Sequence, residues 1–265
     1  MLFGMDVAVR LAERRTAGAL RAIGKRGFFA RDMFRGLREP GTWIPETIRQ
    51  MRTIGVESVP LACIVAAFLG GVTAFQTRYQ LFPGVQLSVV GLIIRQSIVL
   101  ELGPLLTALV LTGRVGARMT AEIGTMRVTE QIDALETLSF DPVAYLALPR
   151  LIASLVMLPV LTVLANATAI LSAWAVLVTA TDVRTDDFVA GLRLSFTEFQ
   201  VIYSLIKAFF FGFAIAFVCA YEGYVTEAGA EGVGRSTAQA VVIASVSILV
   251  LDAVVAAVLA PFIQA

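Results

Sequence analysis

Four ionisable side chains stand inside otherwise apolar stretches of this 265-residue chain: Arg95, Glu101, Lys207 and Asp252. A charged group inside a bilayer costs about 3 kcal/mol or more unless it is paired or hydrated. These residues can therefore form internal ion pairs that hold helices together, or they can line a polar cavity that responds to a conformational change. We expect a contact between Glu101 and Lys207, and we assign no proton transfer to it.

The sequence excludes the commonest catalytic chemistries. It has no histidine, the usual general base and metal ligand. It also lacks the Gly-x-Ser-x-Gly, His-Glu-x-x-His and Cys-x-x-Cys motifs and the Gly-x-x-x-x-Gly-Lys-Ser/Thr phosphate loop. We therefore predict that the chain is not an enzyme and has no catalytic residue, metal site or cofactor. If ATP is used, another chain hydrolyses it.

The composition indicates an all-α integral membrane protein. Hydrophobic residues make up 58% of the chain and charged residues 15%, with a mean hydropathy of +0.83. Soluble domains contain about 25% charged residues. A bilayer core of about 30 Å needs roughly 20 apolar residues per helix. Five segments meet that requirement: 58–77, 85–113, 142–181, 199–221 and 236–265.

Residues 1–56 form a basic arm, which we separate from a transmembrane domain at 57–265. The arm holds eleven Lys and Arg against five Asp and Glu. Its basic residues alternate with apolar ones, a pattern typical of an interfacial amphipathic helix in which Leu20, Ile23, Phe28 and Phe29 face lipid. The alternative is a soluble basic arm. No feature indicates nucleic-acid binding.

The distribution of arginines predicts the orientation. The N-terminal eleven basic residues share one side of the predicted topology with Arg114, Arg118, Arg127, Arg150 and Arg235, whereas Arg78, Arg184 and Arg193 lie on the other. Basic residues favour the cytoplasmic side of short connections. We therefore expect a cytoplasmic N-terminus and, after five spans, a C-terminus on the opposite, outer side, which is the periplasm if the membrane is a bacterial inner membrane.

Residues 121–137, between the second and third spans, are amphipathic and too polar to cross a membrane. An ordinary surface helix would look similar, but a helix placed between two spans is suited to docking a partner. At the predicted outer end of the first span, Phe75, Gln76, Tyr79 and Phe82 form either an aromatic belt or the lining of an apolar cavity.

Several motifs resemble the MlaE/YrbE permeases of ABC-type lipid transporters, over roughly residues 40–260. They are Glu101-Leu102-Gly103-Pro104, Gly113-Arg114-Val115-Gly116, Ala121-Glu122-Ile123-Gly124-Thr125-Met126-Arg127, Thr129-Glu130-Gln131, Asp141-Pro142, Pro149-Arg150, Leu205-Ile206-Lys207, Gly234-Arg235-Ser236-Thr237 and Leu251-Asp252. Many members have arginine before the glutamate of Glu-Leu-Gly-Pro, where this chain has Leu100. The charge partner of Glu101 is then either Arg95 or Lys207.

The resemblance implies a permease in the bacterial inner membrane with an interfacial N-terminal helix, five spans and a cytoplasmic coupling helix at about 121–137. It implies a second permease copy as homodimer partner, a cytoplasmic ATPase dimer carrying ATP and Mg²⁺, a periplasmic MCE-domain ring and a small STAS-type regulator. The implied coupling residues are Glu122, Gly124, Thr125, Met126, Arg127, Glu130, Gln131 and Leu135. The implied lining of a phospholipid cavity is Phe68, Val72, Phe75, Gln76, Tyr79, Leu102 and Leu105.

The function that we predict is therefore ATP-driven movement of phospholipid between the inner and outer membranes. Two alternatives stay open. An ion-coupled secondary transporter would use Glu101, Lys207 and Asp252, and a membrane scaffold would carry no lipid.

Overall fold

The computed structural model describes residues 24–38, 40–82, 84–227 and 229–263, and every regular element within these ranges is helical. The α-helices are α1 (24–35), α2 (Pro40–Ile54), α3 (Val59–Gln80), α4 (Ser88–Gln96), α5 (Gly103–Leu111), α6 (Ala117–Val128), α7 (Gln131–Thr137), α8 (Pro142–Ala180), α9 (Thr185–Arg193), α10 (Glu198–Tyr224) and α11 (Ala230–Ile263). Five helical stretches of the described residues are long and apolar enough to cross a membrane, as predicted.

The bundle has two ends, because successive spans alternate in direction. The α7 end holds α1, α2, α7 and the α10–α11 connection, and the α9 end holds α9 and the α3–α4 connection. At the α9 end, Arg78 donates hydrogen bonds of 2.7 and 2.6 Å to the two carboxylate oxygens of Asp182. This interaction lowers the pKa of the Asp182 carboxyl and joins the last turn of α3 to the residues after α8.

The second span is longer than predicted. Helices α4, α5 and α6 form one stretch, Ser88–Val128, with π-helical turns at Ser97–Leu102 and Thr112–Gly116. The predicted span ended at residue 113, but the helix continues through 113–116, where Gly116 packs against Cys219 of α10. The expected single helix at 121–137 is wrong: the chain turns at Thr129–Glu130, where Glu130 takes a left-handed conformation with φ 58°.

The longest helix, α8, has 39 residues. Asp141 caps its start, because the carboxylate accepts hydrogen bonds from the backbone nitrogens of Val143 (3.0 Å) and Ala144 (3.2 Å). Pro142 at the first helical position costs no backbone hydrogen bond. At a rise of about 1.5 Å per residue the helix exceeds a bilayer core of about 30 Å.

Small residues allow α3 and α8 to pack closely. Buried Ala62, Ala66, Gly70 and Ala74 recur every four residues on one face of α3, the spacing that brings membrane helices together. A Cβ atom on Gly70 would overlap the backbone carbonyl of Ala169. Glycine is therefore required here by the closeness of the two backbones.

We predict that Gly70→Ala destabilises the protein by about 3 kcal/mol, because the added methyl group must push two helix backbones apart. Gly71→Ala is the matched control, since its Cβ would meet the Cγ2 atom of Val176 at an ordinary 3.5 Å. Thermal unfolding in detergent should separate the two variants. Equal unfolding temperatures would contradict this account of the packing.

Helix α1 belongs to the core of the α7 end. Phe29 is buried there and packs edge-on against Phe217 and Tyr221, with ring centroids 5.9 and 5.5 Å apart. The expectation that Phe29 faces lipid was therefore wrong, because α10 offers an aromatic pocket that the sequence pattern does not reveal. Phe28 is exposed as expected. Leu20 and Ile23 lie outside the described residues.

Candidate functional site

Three of the four ionisable residues expected inside the membrane meet where α10, α11 and the π turn before α5 come together. The Nζ atom of Lys207 lies 2.6 Å from Glu101 Oε2 and 2.8 Å from Asp252 Oδ1, and the lysine side chain has no solvent exposure. Nζ also donates to the Leu100 carbonyl at 3.3 Å, and the Tyr203 hydroxyl donates to Glu101 at 3.4 Å. The expected contact between Glu101 and Lys207 is present.

Arg95 lies apart from this cluster. Its guanidinium donates to the backbone carbonyls of Leu194 (2.9 Å) and Ser195 (3.3 Å) and to the side chain of Gln200. Leu194 and Ser195 lie in the α9–α10 connection and Gln200 lies in the first turn of α10, so Arg95 holds this connection and the start of α10 in place. Of the two candidate partners left open for Glu101, the structure selects Lys207.

The Lys207 cluster connects three spans through one ammonium group. The carboxylates of Glu101 and Asp252 both lie within ion-pair distance of this ammonium group. The Glu101 side chain is 47% exposed in the single chain, and the Asp252 side chain is 18% exposed. Such an arrangement neutralises buried charge. Its position on a π turn is typical of functional sites in helices.

The residues expected to couple to a partner differ in how deeply they are buried. Gly124 is buried, and a Cβ atom there would come within 2.9 Å of the Thr226 hydroxyl. Glu122 turns toward the bundle and pairs with Arg118 (2.8 Å) and Arg150 (3.2 Å). Met126, Arg127 and Leu135 are half-buried, whereas Thr125, Glu130 and Gln131 are exposed.

The sequence analysis did not single out two exposed apolar residues that follow α7. Leu138 is 68% exposed and Phe140 is 47% exposed. The sequence feature that could have indicated them is the presence of two large apolar residues in an otherwise polar connection. The exposed residues Thr125, Glu130, Gln131, Asp133, Glu136, Leu138 and Phe140 make up what we define as the α7 surface. Its carboxylates and apolar side chains suit a partner with basic and apolar groups.

We predict different stability effects for Glu122→Ala and Arg127→Ala. Removing Glu122 leaves the buried Arg150 guanidinium without its carboxylate, which should cost about 2–3 kcal/mol. Arg127 makes a partly exposed 2.7 Å pair with Asp133, and such pairs contribute roughly 1 kcal/mol at most. Chemical unfolding in detergent measures both. A larger loss for Arg127→Ala would contradict the assignment.

The expected lipid-contacting residues of the first span lie on one exposed face of α3. Phe68, Val72, Phe75, Gln76 and Tyr79 are all exposed. Three of them, Phe68, Val72 and Phe75, line an apolar groove of about 370 Å³ against α8. The two leucines expected beside them, Leu102 and Leu105, are half-buried on the neighbouring span and do not line this groove.

Within the described ranges, no group of three or more His, Cys, Asp or Glu side chains is arranged to hold a metal ion. The chain instead presents an ion-pair cluster between spans, an exposed apolar face on α3 and a polar helical surface between the second and third spans. A bundle of five membrane-length helices with these surfaces defines an integral membrane protein.

Comparison with known proteins gives its family. The model of the family described as Permease MlaE matches residues 47–258, most of the chain. A probable ABC transporter permease of Rickettsia bellii is 36% identical over 239 residues, covering 89% of this chain and 92% of the relative. A probable ABC transporter permease of Synechocystis is 38% identical over 205 residues, covering 77% and 78%.

A third relative is named for its cargo. The intermembrane phospholipid transport system permease protein MlaE of Haemophilus influenzae is 31% identical over 240 residues, covering 90% of this chain and 92% of the relative. The chain therefore belongs to the MlaE family of ABC transporter permeases, and the resemblance seen in its motifs is confirmed.

Proposed function

We propose that this chain is the membrane-embedded subunit of an ATP-driven transporter that moves phospholipid between the inner and outer membranes of a bacterium. The name of the Haemophilus relative supports the cargo. In this proposal the chain itself breaks no bond, and a separate ATPase pair supplies the energy from ATP and Mg²⁺.

The observation that carries the proposal is the continuity of the second span. One helical stretch, Ser88–Val128, holds Glu101 inside the bundle and ends at the α7 surface. A push on α7 passes to α6 through the Arg127–Asp133 pair and the tight turn at Glu130. It then travels along a single helix to the Lys207 cluster, which links that helix to α10 and α11. An ATPase that moves α7 would thereby move three spans together.

The orientation in this proposal has the α7 end in the cytoplasm. Arg114, Arg118, Arg127, Arg150 and Arg235 all lie toward that end, and Arg78, Arg184 and Arg193 lie toward the α9 end. This asymmetry agrees with the rule that basic residues stay inside. The ATPase pair, with a small STAS-type regulator, then meets the α7 surface, and an MCE-domain ring meets the α9 end.

The exposed α3 face is the surface that we assign to lipid and to a second copy of the chain. Phe68, Val72 and Phe75 offer apolar area of the kind that acyl chains cover, at about 25 cal/mol per Å². A lipid held by apolar area leaves only when that area is closed, so collapse of the groove between two copies would expel it. Helix α3 is suited to this role because only 28% of its apolar window is buried within the single chain.

The experiment that tests the proposal is reconstitution of the permease with its ATPase in proteoliposomes that contain fluorescent phospholipid. We expect lipid transfer that requires ATP and is lost when the ATPase is omitted. The ion-coupled alternative predicts transfer without the ATPase, driven by a proton gradient and abolished by Glu101→Gln. Lys207 has no solvent exposure and is paired with two carboxylates, which favours the first outcome. A protein that carries no lipid under either condition would be a scaffold.

A further inference from the structure

A polar pocket lies at the α7 end, away from the α3 groove. It has a volume of about 250 Å³ and is enclosed by α2, α6 and α8. Three arginines and two glutamates share its wall: Arg49, Arg118, Arg150, Glu46 and Glu122. A smaller adjoining cavity of about 20 Å³ brings in a fourth arginine, Arg114. Glu57 pairs with Arg114 (3.9 Å) and Arg118 (3.0 Å), so four arginines face three glutamates and the site carries a net charge of one positive unit. It has room for several water molecules or for one phosphoryl group.

The pocket contains a buried hydrogen-bond donor that lacks an acceptor. Arg150 is only 6% exposed; it donates to the Leu146 carbonyl (2.7 Å) and to Glu122 (3.2 Å). Its Nε atom is buried without a hydrogen-bond partner among the described residues. A guanidinium has five N–H groups, and the described residues supply two acceptors for that of Arg150, so its terminal nitrogens retain donors that can reach a ligand in the pocket.

A second arginine at the pocket, Arg49, makes only a long ion pair. The Arg49 side chain is 80% exposed, and its pair with Glu46 is long at 3.8 Å. Glu46 meanwhile accepts a 2.8 Å hydrogen bond from the buried amide of Gln50. Arg49 is therefore free to turn toward a ligand without breaking a short ion pair. Together with Arg150, it offers the forked donors that suit a phosphate group.

Helix α2 connects this pocket to lipid. Arg49 and Gln50 line the pocket, whereas Ile44 and Ile48 on the same helix are exposed apolar residues. Tyr145 and Met126 form a less polar part of the pocket wall. A ligand with a phosphate headgroup and an apolar tail can therefore place its head among the arginines while its tail follows the outer face of α2.

We propose that this pocket binds the phosphoryl group of a phospholipid from the leaflet at the α7 end. This site is separate from the α3 groove, so it does not depend on the transport proposal, and the lipid bound here need not be cargo. A soluble phosphate ester has the same recognition chemistry, and the test separates the two sources.

The test titrates the full-length protein in detergent with short-chain phosphatidylglycerol and reads bound ligand by native mass spectrometry. We expect Arg49→Gln and the paired variant Glu122→Gln/Arg150→Gln each to weaken binding about tenfold, the effect of losing one charge-assisted hydrogen bond. Arg52→Gln is the matched control, because Arg52 is an exposed arginine on α2 that does not line the pocket. It should bind like the wild type.

Two further ligands identify the source. Diacylglycerol, which has no phosphate, should bind weakly and without sensitivity to Arg49→Gln. If glycerol 3-phosphate binds as tightly as the lipid and is equally sensitive to Arg49→Gln, the pocket is a phosphate site whose ligand is a soluble phosphate ester and not a phospholipid. The proposal is overturned if Arg49→Gln and the paired variant bind phosphatidylglycerol like the wild type, or if Arg52→Gln loses as much affinity as they do.

Discussion

Replacing Lys207 with leucine is expected to destabilise the protein by about 3 kcal/mol. The change leaves Asp252, whose side chain is 18% exposed, and Glu101 without the ammonium that lies within 2.8 Å of both. Breaking a buried ion pair by removing one partner typically costs about 3–5 kcal/mol. We take the lower value because Glu101 is only partly buried within the chain. Thermal unfolding in detergent measures the loss.

A compensated variant shows whether the loss comes from stranded charge. Lys207→Leu combined with Glu101→Gln and Asp252→Asn carries no net charge at the site, so we expect it to recover most of the stability. If the triple variant is as unstable as the single one, the lysine contributes by its shape and not by its charge. Transport by a stable triple variant would also exclude the ion-coupled alternative.

Leu138→Asp is expected to weaken binding of the ATPase roughly 30-fold without unfolding the permease. Leu138 is 68% exposed in the single chain and lies beside the exposed carboxylates of α7. Replacing an apolar contact residue of a docking surface with a carboxylate removes buried apolar area and adds a group that must lose its hydration, which costs about 2 kcal/mol, roughly a 30-fold loss of affinity. Copurification with the ATPase and ATP-dependent lipid transfer are the two measurements.

The matched control for this variant is Val189→Asp on α9, at the opposite end of the bundle. Val189 is also exposed, at 37%, so both changes replace a surface apolar residue with the same acid. We expect Val189→Asp to copurify with the ATPase normally. Retention of the ATPase by Leu138→Asp, or its loss from both variants, would argue against the α7 surface as the docking site.

The number of spans could be predicted because hydrophobic length is a property of the sequence alone. The ends of the spans could not. The second helix runs on to Val128 and packs Gly116 against Cys219, a contact between residues far apart in the chain. The break at Glu130 depends on a left-handed backbone conformation that glutamate rarely adopts.

The candidate sites were predictable to different degrees. Glu101 and Lys207 were expected to meet because charges inside a membrane require partners. Periodicity could not show that Glu122 and Gly124 face the bundle, since that depends on where Arg150 and Thr226 of other helices lie. Leu138 and Phe140 were not predicted, because a connection of only a few residues has no hydrophobic periodicity that would indicate which of its side chains are exposed.

The central claim is that an ATPase seats on the α7 surface in the cytoplasm. A single reactive thiol at this surface, introduced as Gln131→Cys, tests it most directly, because Gln131 is exposed and the native Cys219 is buried. The protein with Cys63 replaced by alanine is the background. We predict that the thiol reacts only with reagents on the cytoplasmic side and cross-links to the ATPase. Labelling from the periplasm, or a purified complex in which no ATPase cross-links there, would contradict the account.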